Sequence, residues 1–251
     1  MSPTIWTRCA ASSKPRARAF NCLRIVESQY VVSTRKLVDS DAEQAVLESL
    51  IDQAKPPVPA GMGKWHYLLF TPFRHPPLTH GSRFGTRVER SLFYGSAEVS
   101  VALAEVAYYR LVFLEGTRAA LPLVTTEHTA FIAKVAAKRF IDLTKAPFAA
   151  FESAISSKTS YAETHTLGSE MRAAGVDAFA FRSARDPAGG LNYALFSPAF
   201  ASRTPSGFQS WICNATKALV ELKEKNLLKP RTLSFPRATF LVGGKLPAPA
   251  I

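Results

Sequence analysis

The stretch Phe73–Arg110, FRHPPLTHGSRFGTRVERSLFYGSAEVSVALAEVAYYR, decides how the rest of the chain is interpreted. Its Pro- and Gly-rich beginning predicts a loop over residues 74–91, followed by a short strand at Leu92–Tyr94. The Ala, Val and Leu run that follows predicts a helix over Ala97–Leu114, with Ser96 as its N-cap. This run has no single apolar stripe, so we expect the helix to be buried on more than one side.

The segments outside this stretch show a mixture of strand and helix patterns. Strands are predicted at Trp65–Phe70, Thr129–Leu143, Val176–Phe181, Leu191–Phe196 and 240–244, and helices at Pro147–Ser156 and after the Ser160-x-x-Glu163 capping box. Residues 209–228 fit either a helix or a strand. Strands and helices do not alternate as in βαβ units. We therefore predict an α+β fold, a single compact domain with a central mixed or antiparallel sheet flanked by helices.

A proline- and glycine-rich segment marks a candidate domain boundary. Residues 39–54 begin with a Ser-x-x-Glu capping box and carry apolar residues on one helical face, so they predict a helix. Residues 55–63, KPPVPAGMG, end that helix and are typical of a linker. We place the boundary here, with a basic N-terminal extension over residues 1–60 and a catalytic domain over residues 61–251.

Composition limits the classes of function. The chain has 251 residues and a formal net charge of +12, which attracts polyanions such as nucleic acids or phosphorylated metabolites. Its three cysteines form no CxxC pair and its histidines lack metal-ligand spacing, so no disulfide framework and no metal site are expected. No apolar run approaches the roughly 18–20 residues that span a bilayer, and the basic N-terminus lacks the apolar segment of a secretory signal. We expect a cytoplasmic protein.

Glu105 is the first candidate for chemistry, because it stands within the apolar run VALAEVAYY. A buried carboxylate is costly unless it is paired or used, and it can stabilise positive charge in a transition state. The alternative is a glutamate at the edge of an exposed stripe.

Four further residues are candidates for ligand binding. Arg74 and Arg83 lie in the predicted loop, and arginine forks match phosphate oxygens. Tyr94 could stack on a flat ring, and Ser183 lies in the glycine-containing connection at residues 182–190. The alternatives are solvated loop arginines and an ordinary core tyrosine. No GxSxG elbow, P-loop or dinucleotide fingerprint occurs.

The order of these motifs resembles the RES domain family, which is named for its Arg, Glu and Ser. The resemblance covers roughly residues 65–200 and is carried by Arg74, Gly81–Gly85, Phe93–Ser96, Ala102–Val106 and Arg182–Arg185. It implies a compact α+β fold similar to that of ADP-ribosyltransferase toxins. It also implies a toxin that degrades NAD by hydrolysis or phosphorolysis, with NAD as substrate, inorganic phosphate as a candidate co-substrate and no metal.

The resemblance also implies roles for the candidate residues. Glu105 would stabilise the oxocarbenium-like charge that develops on ribose as nicotinamide leaves. Tyr94 would stack on nicotinamide, and Arg74 and Arg83 would hold the diphosphate. Ser183 would bond a phosphate or orient the nucleophile. Glu105, Arg83 and Ser183 are therefore the predicted catalytic residues, and Arg74, Tyr94, Arg83 and Ser183 the predicted NAD-binding residues.

Partners and competing functions complete the prediction. The family implies an Xre-like helix-turn-helix antitoxin as partner, and contact with nucleic acid only through that antitoxin. It implies no membrane association and is compatible with a homo-oligomer. One alternative is an ADP-ribosyltransferase that modifies a protein or nucleic acid. Another is a non-enzymatic basic protein that binds nucleic acid, which the charge would suit although no RNP, helix-turn-helix or zinc-finger pattern occurs.

Overall fold

The computed structural model describes residues 3–28 and 33–248. Within these ranges the α-helices are α1 (Ile5–Cys9), α2 (Asp41–Ala54), α3 (Tyr67–Arg74), α4 (Val99–Gly116), α5 (Glu152–Ile155) and α6 (Ala162–Ala173). The strands are β1 (Arg16–Glu27), β2 (Phe93–Ser96), β3 (Val124–Asp142), β4 (Ala178–Arg182), β5 (Leu191–Leu195), β6 (Ser206–Ala215), β7 (Leu219–Glu224) and β8 (Thr232–Pro236). Short 3-10 helices occupy Ala10–Ser12, Ser33–Leu37, Phe148–Phe151 and Arg237–Phe240.

One eight-stranded sheet connects these strands in the order β1-β2-β5-β4-β3-β6-β7-β8, and β1 also pairs with β3. Among the described strands the pairing is antiparallel except between β3 and β4, so the sheet is mixed. The 19-residue strand β3 pairs with β1 along most of its length, with β6 near its start and with β4 at its end. The predicted α+β fold with a mixed central sheet is confirmed.

Strand β1 lies in the segment that the sequence predicted as a basic extension. Leu23 pairs with Ile132 of β3 and with Ser96 of β2, so this strand closes the pairing β1-β2-β5-β4-β3 into a ring. The sequence pattern did not reveal it because arginines occupy positions that face aromatic rings. The guanidinium of Arg18 lies 4.7 Å from the ring centre of Phe140, so a charged residue stands where alternation would require an apolar one.

The predicted strand Trp65–Phe70 is wrong, because this segment leads into helix α3. His66 is its N-cap, and its Nδ1 accepts a hydrogen bond from the Leu68 amide at 3.3 Å. A short apolar run cannot by itself distinguish a strand from a buried helix. The helix extends through Pro72, which the sequence analysis had taken as the end of the segment.

Two other boundaries differ from the prediction. Ser96 is not the N-cap of α4, because it belongs to β2 and its hydroxyl donates to Asn192; Glu98 takes the N-cap position. The predicted strand at 240–244 is wrong, and the last strand within the described ranges is β8. The ambiguous region 209–228 contains most of β6 and all of β7. The turn between them has three residues, 216–218, so Ala215 and Leu219 are four positions apart, as they would be in a helix.

Helices cover both halves of the sheet around three hydrophobic clusters. The central helix α4 has eight buried residues and packs on β6 and β7 at Trp211 and Leu222, so the prediction of burial on several sides is confirmed. The helices α1, α5 and α6 pack against Phe179 and Phe181 of β4. The strand β4 is thus covered on one face by helices, and its end lies beside α4.

His128 on β3 gives the fold a pH dependence. Burial, and then the Arg110 guanidinium, lower the pKa of this imidazole to about 4, against about 6.5 in an unfolded chain. Between these values the unfolded state binds a proton that the folded state excludes, so the free energy of unfolding falls as the pH falls.

We expect wild type to lose about 2 kcal/mol more stability than His128→Gln between pH 7 and pH 4.5, measured by urea unfolding. The exposed His80, replaced by Gln, is the matched control and should keep the pH dependence of wild type. Equal losses in wild type and His128→Gln would contradict the burial of a neutral imidazole.

Candidate active site

A fixed carboxylate on α4 forms the centre of the candidate site. Oε1 of Glu105 accepts hydrogen bonds from Ser183 Oγ at 2.7 Å and from Asn192 Nδ2 at 2.8 Å. The amide of Asn192 is itself fixed, because its Oδ1 accepts from Ser96 Oγ at 2.6 Å. One carboxylate oxygen is therefore held, and the other, Oε2, has no hydrogen-bond partner in the described part of the chain and is not fully buried.

The connection between β4 and β5 determines which way the Ser183 hydroxyl points. Its Oγ accepts hydrogen bonds from the amides of Arg185 at 3.1 Å and Asp186 at 3.0 Å. With two N–H groups directed at the oxygen, the single hydroxyl proton is donated to Glu105. Gly190 closes the connection where it meets α4, and a Cβ there would lie 2.4 Å from Val101 Cγ2. Only glycine lets the connection approach the helix this closely.

Arg83 is a buried cation in the tight turn Ser82–Gly85, within the loop that leads to β2. Its Nη1 donates to the carbonyls of Ser157 at 2.7 Å and Ile155 at 3.3 Å, and its guanidinium lies 4.6 Å from the ring centre of Tyr161. Within the described ranges it has no salt bridge to a carboxylate. A buried, uncompensated guanidinium is suited to an anionic ligand.

Tyr108 shows that Arg83 and Glu105 belong to one neighbourhood. Burial raises the pKa of Tyr108 to about 12, and the charges of Arg185, Glu105 and Arg83 all act on its hydroxyl. Arg185 stacks on the Tyr108 ring, one turn after Glu105 on α4, and Arg83 and Arg185 both donate to main-chain carbonyls of residues 155–158. The structure thus brings three of the five predicted site residues, Glu105, Ser183 and Arg83, into one region.

Tyr94 is anchored through its hydroxyl. This group hydrogen-bonds Ser82 Oγ at 2.9 Å and accepts from the Phe84 amide at 3.1 Å. Burial raises the pKa of Tyr94 to about 12, so the hydroxyl stays protonated. Because Ser82 and Phe84 flank Arg83, Tyr94 fixes the turn that carries this arginine.

Arg74 lies in a cavity of about 680 Å³ beside this region. Its Nε donates to the carbonyl of Pro56. Tyr94 and Ser82 contribute to the wall of the cavity, whereas Glu105 and Ser183 do not. The structure therefore does not bring Arg74 into contact with the carboxylate.

Sequence reasoning missed Arg24 and Asn192. Arg24 lines the same cavity as Arg74, its Nη1 donates to the Tyr94 carbonyl at 2.6 Å, and burial lowers its pKa to about 10. An arginine within the β-like run CLRIV was the available signal for it. Asn192, the second residue of β5, belongs to no motif in the sequence, and its role arises from the pairing of β2 with β5.

Within residues 3–28 and 33–248, no group of three or more His, Cys, Asp and Glu side chains could hold a metal ion. No helix in this part of the chain has the length and apolar character to cross a membrane.

Together, the fold and the site define an α+β domain in which a helical carboxylate is bonded to a serine from the end of a strand. The sequence model of the RES domain family matches residues 58–213. The chain belongs to this family, and the resemblance drawn from its motifs is confirmed.

A comparison with solved structures matches the Mycobacterium tuberculosis MbcT–MbcA toxin–antitoxin complex, with 11% sequence identity and a TM-score of 0.46. The match covers 85% of this chain and 92% of the other. No match was found among curated protein sequences.

Asn192→Asp tests the hydrogen-bond network of the site. The new carboxylate would face Oε1 of Glu105 in place of a donor, and the two charges would repel each other in a partly buried site. We expect about 3 kcal/mol of destabilisation at pH 7 and a smaller loss at pH 4, where one carboxyl is protonated.

Urea unfolding at both pH values measures this difference. Asn214→Asp on β6 is the matched control, because Asn214 Oδ1 accepts from Thr125 Oγ1 in a more exposed position. A pH-independent loss for Asn192→Asp would contradict the assigned contact with Glu105.

Proposed function

We propose that this chain is an NAD-consuming enzyme that cleaves the bond between nicotinamide and ribose, and that it is the toxin of a toxin–antitoxin pair. Membership of the RES domain family supports the proposal. The observation that carries it is the Glu105 carboxylate, with one oxygen held by Ser183 and Asn192 and the other open.

The chemistry of NAD fits such a carboxylate. Nicotinamide is a pyridinium in NAD and leaves as a neutral ring, so it needs no general acid. The barrier lies in the oxocarbenium-like charge on ribose, as in glycoside cleavage. The open Oε2 of Glu105 would stabilise this charge or hold a ribose hydroxyl, and its fixed direction means that little reorganisation is needed during the reaction.

Ser183 has a positioning role in this proposal. Its oxygen already accepts two amide hydrogen bonds and its proton is donated to Glu105, so the hydroxyl is occupied. The two roles expected for this serine were bonding a phosphate and orienting the nucleophile. Its hydrogen bonds favour a third role, orientation of the Glu105 carboxylate. The attacking group would be water or inorganic phosphate.

The arginines would bind the diphosphate of NAD. Arg83 is buried near Glu105, and Arg24 and Arg74 line the adjoining cavity. Among the described residues, none of the three forms a salt bridge with a carboxylate. A dianionic diphosphate would supply the missing charge and accept bidentate hydrogen bonds. Tyr94 would contribute its ring to the wall of this cavity, because its hydroxyl is already hydrogen-bonded to the turn that carries Arg83.

The toxin proposal includes an antitoxin partner of the Xre-like helix-turn-helix type. Nucleic acid would be contacted through this partner, and the site of action would be the cytoplasm. Self-association into a homo-oligomer is compatible with the proposal. Neutralisation by a bound partner is the property that separates a toxin from a housekeeping enzyme with the same chemistry.

Glu105→Gln tests the reaction directly. The amide keeps the size of the side chain but loses the negative charge, so we expect NAD consumption by the purified protein to fall about 10²- to 10³-fold. Glu98→Gln is the matched control, because Glu98 is an exposed glutamate at the start of the same helix and should keep full activity.

The products, followed with labelled NAD with and without phosphate, identify the reaction. Free ADP-ribose indicates hydrolysis, a phosphorylated ADP-ribose indicates phosphorolysis, and a labelled macromolecule would replace the proposal by ADP-ribosyl transfer. Undiminished NAD loss in Glu105→Gln would refute the assigned site, and wild-type protein that leaves NAD intact would refute the function.

Arg74→Gln tests whether the cavity contributes to substrate binding. Loss of a charge-assisted bond to a diphosphate should raise KM about 10-fold and leave kcat within a factor of two or three. Lys55→Gln, in the same cavity, is the control, because its ammonium is already paired with Asp52 at 3.2 Å. An unchanged KM in Arg74→Gln would show that the diphosphate lies elsewhere.

A further inference from the structure

We infer that Arg185 and Tyr108 form a positioning pair, which holds the Ser183 hydroxyl and thereby the Glu105 carboxylate in their working geometry. The inference rests on the proposed function for its kinetic part. Its structural part, that the guanidinium–ring contact orders the connection between β4 and β5, stands independently.

Arg185 is buried without a counter-ion. The residue is only 4% exposed. Its Nη1 donates to the Lys158 carbonyl at 3.1 Å, and its Cζ lies 3.7 Å from the ring centre of Tyr108. Within the described ranges no carboxylate pairs with it, and its buried Nη2 has no hydrogen-bond partner. Burying an unneutralised charge is costly, and the negative face of the ring offsets only part of this cost.

The position of Arg185 explains what this buried charge achieves. Its own amide donates to Ser183 Oγ, and Ser183 in turn donates to Glu105 Oε1. Because the guanidinium is held between the Tyr108 ring and the Lys158 carbonyl, the backbone of Arg185 is held as well. The amide therefore stays directed at the serine oxygen, which leaves the hydroxyl proton for Glu105.

Tyr108 connects the two ends of this chain of contacts. It follows Glu105 by three residues on α4, so both side chains lie on the same face of the helix. Its ring is fully buried, and its hydroxyl donates to the Pro247 carbonyl at 2.5 Å. One helix therefore carries both the carboxylate and the aromatic surface that holds the arginine opposite it.

The two functions of Tyr108 can be separated by substitution. Tyr108→Phe keeps the ring face beneath the guanidinium and loses only the hydrogen bond to Pro247. Tyr108→Leu keeps an apolar side chain but removes the π-face. Arg185→Lys keeps a positive charge but loses the planar group that stacks on the ring and donates to Lys158.

For NAD consumption we expect kcat to fall about 10- to 100-fold in Arg185→Lys and in Tyr108→Leu, with KM unchanged within about a factor of two. Tyr108→Phe keeps the ring face, so its kcat should fall less than that of Tyr108→Leu. The double variant Arg185→Lys/Tyr108→Leu should be no slower than either single variant, because both remove one contact.

Amide hydrogen exchange provides a measurement that needs no activity. The amides of Arg185 and Asp186 should exchange at least about 10-fold faster in Arg185→Lys and Tyr108→Leu, while β4 amides keep the wild-type rate. Arg139→Lys is the matched control, because Arg139 also bonds main-chain carbonyls, those of Ala174 and Gly175, away from the site.

The outcomes separate this inference from the proposed function. Faster exchange together with a wild-type protein that leaves NAD intact would support the positioning pair and refute the enzyme. Unchanged exchange at Arg185 and Asp186, or an equal loss of kcat in Tyr108→Phe and Tyr108→Leu, would overturn the inference. A uniform rise in exchange over β4 as well would also overturn it, because the pair would then support the whole fold rather than the site.

Discussion

The hydrogen bond between Ser183 and Glu105 is the contact on which the geometry of the site depends. It joins residues 78 positions apart, and it forms only because β2, β5 and β4 are neighbours in the sheet and end beside α4. Gly190 permits the close approach, and Asn192 provides the second donor. The bond therefore depends both on the order of the strands and on the absence of a Cβ at Gly190. The direction of the Glu105 carboxylate is thus set by the whole fold.

Uncompensated arginines are the second common feature of this region. Arg24, Arg74, Arg83 and Arg185 use main-chain carbonyls or aromatic rings as partners, and in the described part of the chain none pairs with a carboxylate. Carbonyls satisfy individual N–H groups but leave the net charge in place. These four arginines thus contribute to the formal charge of +12 without a neighbouring carboxylate to offset them. Such an arrangement attracts anions over longer distances than a hydrogen bond reaches.

The sequence predicted the parts of the structure that depend on local pattern or on motif order. The fold class and most strands followed from patterning, and Glu105 and Ser183 were recognised although the contact between them was not. Strand β1 was missed because Arg18 faces an aromatic ring, and helix α3 was taken for a strand because its apolar run is short. Asn192 could not be found from sequence, since its relevance arises from pairing between distant strands. Arg24 had one signal, an arginine within a β-like run, but its place beside Tyr94 depends on the same distant pairing.

The closed ring of strands has a consequence for the solubility of the protein. Free strand edges offer unpaired backbone groups to other chains and are the usual starting points of edge-to-edge aggregation. Because β1 pairs with both β2 and β3, seven of the eight described strands have neighbours on both sides. Among the described strands, β8 is the edge strand of the sheet; it has five residues and ends at Pro236. A short edge that stops at a residue without an amide hydrogen is a poor template for another strand.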